Sequence, residues 1–283
     1  MAALAPATTE EVAQTLTVHG KLALDWERRK QEAAMASIGA KTMPSLAHLQ
    51  SAAQMVARCA EVQRLDHEAF FLGLELFDGF ITMKAAATAD SSTQTRPPSL
   101  KFCTLACLTC VQLASKMILL RKRMGPARTS RYAQRLLGLP ISYKDITDIE
   151  FEILKTIDFR MVPSPLLILR NFLEATVFNL KDTELASVSA IAQESIEDIA
   201  RKVLVLTYHE NEALLRALSN ADIQLSIILR TTGVIALAFY LFDTVLSDTI
   251  NRTLARMTHY TEETYVEFAA AVLQATDLTS TIS

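Results

Sequence analysis

Apolar residues recur along the chain at the three- and four-residue spacing of helices, broken by short polar or proline-bearing stretches. TADSSTQTRPPS (88–99) is the longest break, and GPARTS (125–130), GLPIS (138–142) and VPSP (162–165) are shorter connectors. Between them the pattern predicts a mainly polar N-terminal helix or helix pair over 8–36. Five helices follow, over 46–64, 66–87, 99–120, 128–138 and 143–157. The last has a clear start, because Ser142 with Asp145 three residues on reads as a capping box. Ile146, Ile149, Ile153, Leu154 and Ile157 then form its apolar stripe. The third of the five differs: from Lys101 to Leu120 only Lys101 and Lys116 are charged, and apolar residues occupy every side. A helix of that kind is surrounded by other helices, so it is expected at the centre of its set.

After VPSP the pattern restarts. Ser164 and Pro165 read as an N-cap followed by proline at the first helical position, opening a helix to about 178. Further helices are predicted over 183–208, 211–219, 222–246, 248–258 and 262–276, and again the third major one, containing GVIALAFYLF (233–242), is the most apolar. The expected architecture is all-α: an N-terminal helical extension (1–45) followed by two tandem sets of about five helices, 46–160 and 161–283.

Composition agrees with an all-helical chain. Among 283 residues there are only 7 glycines and 8 prolines, and half of the chain is hydrophobic. A β-protein would need a turn about every ten residues. The formal charge is −3, from 28 basic and 31 acidic residues, which excludes a generally basic nucleic-acid coat and a highly charged disordered chain. The start, MAALAPATTEE, has no basic stretch ahead of an apolar run, so no secretion signal is expected. Gly233–Phe242 is about half of the roughly 20 residues that a membrane span needs. A soluble, intracellular protein with reduced cysteines is expected.

Three cysteines, Cys103, Cys107 and Cys110, have the C-x3-C-x2-C spacing of certain iron–sulfur sites. They fall inside an apolar helix, within one sector of its surface, and so read as a small-residue packing face instead. The five histidines (19, 48, 67, 209 and 259) form no ligand pair, and the glycines form no phosphate-binding loop. With no catalytic residue, metal site or cofactor motif, a binding protein is expected over an enzyme. Residues 116–135 carry Lys116, Arg121, Lys122, Arg123, Arg128, Arg131 and Arg135 and no acid. They are either a solvated face or a surface for an acidic partner, a phosphate or nucleic acid. Two single charges stand out further. Glu150 falls inside the apolar stripe of its helix, and Lys116 is the one charge near the end of the central helix. Neither would be buried unpaired, so they either pair with each other or await a partner at an edge.

LACLTCVQLASK (105–116) and ISYKDITDIEFEILKTIDFRMVPSPLLILRNFLEA (141–175) resemble the cyclin family, and LELFDGFI (74–81) resembles a degenerate form of the family's "yLDRFl" helix. The resemblance implies two tandem five-helix cyclin boxes. It places Lys116 and Glu150 on the lysine and glutamate that grip the regulatory helix of a cyclin-dependent kinase. Gly79 stands where cyclins carry the arginine of "DRF", so the stabilising role of that arginine in the first box is missing. The segment LAHLQSAAQMVARCAEV (46–62) lacks the family's docking patch and has no aromatic residue, so binding of R-x-L peptides is not expected. Within the family, CVQLASK (110–116), LKTIDFRMVPSPL (154–166) and LTYHENEALLRALS (206–219) are most similar to the divergent meiotic branch, the cyclin N-terminal domain-containing proteins of crossover sites. That likeness implies a regulatory subunit acting with a cyclin-dependent kinase and meiotic recombination proteins on chromosomes in the nucleus, with some in the cytoplasm. There it would mature recombination intermediates into crossovers. The alternatives are a conventional kinase-activating cyclin, and a nucleic-acid or scaffold binder with the same fold, which the basic stretch keeps open.

Overall fold

Helices account for the regular structure among the described residues of the computed structural model, which are 9–36, 54–59, 62–89, 99–118, 124–138, 140–160, 162–180, 190–258 and 260–276. We number them α1 (Thr9–Ala36), α2 (His67–Ala89), α3 (Leu100–Ile118), α4 (Pro126–Leu137), α5 (Tyr143–Thr156) and α6 (Pro165–Leu180). Then come α7 (Ala190–His209), α8 (Asn211–Asn220), α9 (Ile227–Phe242), α10 (Ser247–Met257) and α11 (Glu262–Ala275). Residues 54–59 are also helical, and a 3₁₀ turn, Thr244–Leu246, precedes α10. The packing divides into two compact units. The changeovers fall at Leu24/Asp25, inside α1, and at Pro165/Leu166, where the sequence reading places its boundaries at 45/46 and 160/161.

In the first unit α3 is the centre, packed against α2, α4 and α5, and every residue from 103 to 115 is buried. By length and composition Lys101–Ile118 could cross a membrane, but most of it is enclosed by its neighbours here. Gly73 lets α2 approach α3 closely, since a Cβ there would lie 3.2 Å from the Val111 Cα. The capping box of α5 forms: the Asp145 amide donates to Ser142 Oγ, and the Ser142 amide donates to the Asp145 carboxylate. The Ser142 amide and the Ser142 hydroxyl both donate to the Asp145 carboxylate and hold its pKa below the usual value. Ile146, Ile153 and Ile157 of the expected stripe are buried, and Ile149 and Leu154 lie half-buried at its margin. Helix α4 starts two residues before its predicted position because Gly125 is its N-cap and Pro126 supplies a preset φ for its first turn. It ends at Gly138, whose φ of 64° is a backbone conformation that glycine adopts without strain.

The C-terminal part of α1 packs into the same unit. Trp26 is fully buried against α2 at Gly79, where a Cβ would lie 2.1 Å from the indole ring. One turn on, Lys30 Nζ lies 3.0 Å from Asp78, 3.2 Å from Glu27 and 3.3 Å from Glu75. Gly79 is therefore a notch for the indole. The Asp78 carboxylate beside it meets a cation from α1.

The second unit is arranged around α9, which packs against α7, α10 and α11 and is buried from Ile227 to Phe239. The helix is shorter than its apolar pattern predicts. Ser226 caps its start by accepting from the Leu229 amide, and Asp243, in an extended conformation, ends it. Gly233 makes room for Phe268 of α11, whose ring would lie 2.4 Å from a Cβ. Arg230 is buried within α9. Its guanidinium donates to the Thr207 carbonyl at 2.6 Å and to Asn211 Oδ1 at 2.5 Å, and it lies 4.2 Å from the centre of the Tyr208 ring. Buried charge is tolerated where each donor finds a partner, and here the guanidinium ties α9 to α7 and α8.

Candidate partner-binding site on the first unit

Lys116 occupies the last turn of α3, and Glu150 faces it from the middle of α5. Lys116 Nζ donates to both carboxylate oxygens, at 2.6 and 2.8 Å, and Gln112 Nε2 donates to Glu150 Oε2 at 2.6 Å. The Gln112 amide is itself held, because Thr129 of α4 donates through its hydroxyl to Gln112 Oε1 at 2.6 Å. Ser115 continues the chain: its hydroxyl donates to the Gln112 carbonyl and accepts from the Met124 amide. Three helices and the segment entering α4 are thereby tied to one carboxylate. Low local dielectric strengthens such a network, and every member fixes the geometry of the next.

The two alternatives for Lys116 and Glu150 prove compatible. They pair with each other, and the pair also sits at an edge, with side chains 31% and 18% exposed. The reason lies in the α5 wheel. At about 100° per residue, Glu150 falls between the buried Ile146 and Ile153 on one side and the exposed Tyr143 and Phe151 on the other. Phe151 is 61% exposed and touches Phe159, 62% exposed, ring centres 6.2 Å apart. Met117, next to Lys116, is also exposed. An ion pair thus sits beside large apolar side chains that nothing in this chain covers among the described residues.

The presentation of Phe159 has a conformational cost. Asp158 and Phe159 both have left-handed backbones, φ 59° and 52°, which non-glycine residues rarely adopt. The turn is held by the Phe159 amide donating to the Leu154 carbonyl at 2.8 Å, and by the Asp158 carboxylate, which accepts from Arg160 and Arg29. Strain retained at an exposed aromatic residue is the kind found at binding sites.

Of the other residues singled out in the sequence, Arg128, Arg131 and Arg135 lie exposed on α4. Arg121, Lys122 and Arg123 are outside the described residues. Cys103, Cys107 and Cys110 are buried and unoxidised, and Cys59 joins them as a neighbour of Cys107. No group of three or more His, Cys, Asp or Glu able to hold a metal occurs among the described residues. Burial raises all four thiol pKa values, that of Cys59 to about 12. Thiolate is the reactive form, so none of the four should react with Ellman's reagent in the native protein, and all four should react after denaturation. Fast labelling of any one in the folded state would contradict this packing.

Sequence reasoning missed Gln112 and Thr129. The signal was present for the first: Gln112 is the one long polar side chain in the buried part of α3, one turn before Lys116 on the same face. Nothing local marks Thr129.

No protein-family profile and no curated protein matches this sequence. Among solved structures, a viral cyclin from herpesvirus saimiri superposes with a TM-score of 0.60 at 14% sequence identity, over 92% of this chain and 99% of that one. An identity that low speaks for the fold alone. With two helical units, each built around a buried central helix, the chain has the all-α cyclin fold.

Proposed function

We propose that this chain is a non-enzymatic, cyclin-type regulatory subunit that binds a cyclin-dependent kinase through the Lys116–Glu150 edge of its first unit. The observation that carries this reading is the placement of a preorganised, half-exposed ion pair beside the exposed Phe151, Phe159, Tyr143 and Met117. A partner helix laid across that edge would cover the aromatic side chains. It would also offer backbone polar groups to an ammonium and a carboxylate already fixed in position, so little ordering entropy is lost on docking. Truncating one partner of a buried charge pair at an interface costs about 2–5 kcal/mol, roughly 30-fold in affinity or more.

Lys116→Glu and Glu150→Lys should each abolish co-purification with a cyclin-dependent kinase while the helical circular dichroism is retained. The double variant, Lys116→Glu with Glu150→Lys, rebuilds an ion pair of reversed polarity. It should restore thermal stability without restoring the kinase. Kinase recovery unchanged in both single variants would refute the assignment.

The finer part of the proposal is meiotic. The likeness of CVQLASK (110–116), LKTIDFRMVPSPL (154–166) and LTYHENEALLRALS (206–219) to the meiotic branch supports a role in turning recombination intermediates into crossovers on chromosomes in the nucleus. Expression confined to meiotic germ cells, with foci on their chromosomes, is the expected pattern. Broad somatic expression would instead favour a conventional cell-cycle or transcriptional cyclin.

A further inference from the structure

Helix α4 has no acidic residue in its first turn and carries Arg128 there, where the positive end of the helix dipole disfavours a cation. Arg131 and Arg135 follow at three and seven residues, so the three guanidinium groups share a sector of about 60° on an exposed face. Two more exposed arginines, Arg58 in the 54–59 stretch and Arg64 in the 62–66 stretch, neighbour this surface. Arg128 donates to the Gln63 carbonyl at 3.5 Å, and Arg64 follows Gln63 directly. Arg58 is close enough for its charge to act on the phenol of Tyr132, which lies on the same α4 face.

Among the described residues, no carboxylate lies within ion-pair distance of Arg58, Arg64, Arg128, Arg131 or Arg135, whereas Arg28, Arg160, Arg170 and Arg216 all have one. Glu61, three residues from both Arg58 and Arg64, lies outside the described residues, and Asp66, just before α2, accepts from the Glu68 amide. Five cations with no acidic partner among the described residues repel one another where they share a surface, and a bound anion removes that repulsion.

We propose that this surface binds the sugar–phosphate backbone of a nucleic acid. The cations are all arginine, whose planar fork suits phosphate oxygens. Arg128, Arg131 and Arg135 lie along an exposed helix ridge, and a phosphate backbone needs positive charge there and no enclosing groove. Arg128 and Arg135 are about 10 Å apart along the helix axis, so they reach separate phosphates. The proposal is independent of the kinase reading, because Lys116 and Glu150 belong to α3 and α5.

The test is a fluorescence-anisotropy titration of the full chain with a fluorescein-labelled 20-base-pair DNA duplex in 50 mM salt. Micromolar binding that is indifferent to base sequence is expected. Its logarithm should fall against log salt with a slope of about −0.9 for each phosphate neutralised. The variant Arg131→Glu with Arg135→Glu should lower affinity at least about tenfold and flatten the slope by about two such increments, with the thermal melt and kinase recovery unchanged. No anisotropy change up to 100 µM protein would overturn the proposal, as would equal binding by the double variant. Poly-glutamate binding that depends on Arg131 and Arg135, in the absence of duplex binding, would overturn it in favour of an acidic protein partner.

Discussion

Replacing Gly79 with alanine should destabilise the protein and move the emission of its single tryptophan to longer wavelength. Ordinarily this change inside a helix gains up to about 1 kcal/mol, because glycine is the more flexible residue when unfolded. Here the new methyl would stand 2.1 and 2.4 Å from two carbons of the Trp26 ring. Overpacking of a tight core costs about 1–3 kcal/mol, and the methyl grows from helix backbone against a rigid bicyclic ring, so the upper part of that range applies. The net expectation is a loss of about 2 kcal/mol, with Trp26 displaced from its notch.

Trp26→Ala alone should cost about 3–5 kcal/mol, the usual range for deleting a buried aromatic side chain. In that background the obstacle is gone, so Gly79→Ala should reverse sign and stabilise by up to about 1 kcal/mol. A double-mutant cycle by chemical denaturation reads this coupling directly. The same effect of Gly79→Ala in both backgrounds would show that α1 does not dock at this position.

Lys30→Met should be similarly damaging. Its ammonium lies 3.0–3.3 Å from Asp78, Glu27 and Glu75, and Glu75, which also accepts from the Trp26 indole N–H at 3.4 Å, is nearly inaccessible. Removing this cation takes the Lys30 ion pair from three neighbouring carboxylates, and breaking a buried pair by deleting one partner costs about 3–5 kcal/mol. The lower end applies, because Asp78 is partly solvated.

The pH dependence is specific. Burial works against the charged lysine, but the fields of Glu75, Asp78 and Glu27 outweigh it and hold its pKa well above the usual 10.5. A raised folded-state pKa means that the stabilisation is fully present below the unfolded value and is lost as pH rises through the folded one. The stability gap between the wild type and Lys30→Met should therefore be constant across neutral and mildly alkaline pH. It should close only above the ordinary lysine pKa. A gap that closes between pH 8 and 9 would mean that Lys30 is not in this cluster.

Both predictions concern a part of the molecule that local sequence pattern describes poorly. The helices themselves are legible because backbone hydrogen bonding and apolar burial impose a period of 3.6 residues on the chain. That period alone marks α3 as central, and a capping box is written within four residues of sequence. Charge placed where the period calls for apolar residues singles out Lys116 and Glu150, because burying either alone would be so unfavourable. The all-α class and the two successive sets of helices thus follow from the sequence, as does the oddity of Lys116 and Glu150 that marks the candidate edge.

Tertiary structure decided everything that depends on residues far apart in the chain meeting at short distance. Gly79, by sequence, is only the absence of an arginine. In the fold it is the space that admits Trp26, 53 positions earlier, next to an aspartate that receives Lys30. Gln112 and Thr129 look like unremarkable polar residues until α3, α4 and α5 are packed, when they become the relay that holds Glu150. Arg230, a charge three residues ahead of the apolar run Gly233–Phe242, lies inside the buried stretch of α9, because carbonyl and amide partners from α7 and α8 arrive there. The physical reason is common to all three. A helix period reports which face turns inward, but the identity of what that face meets is set by packing between helices, where shape and pairing are matched across the fold rather than along the chain.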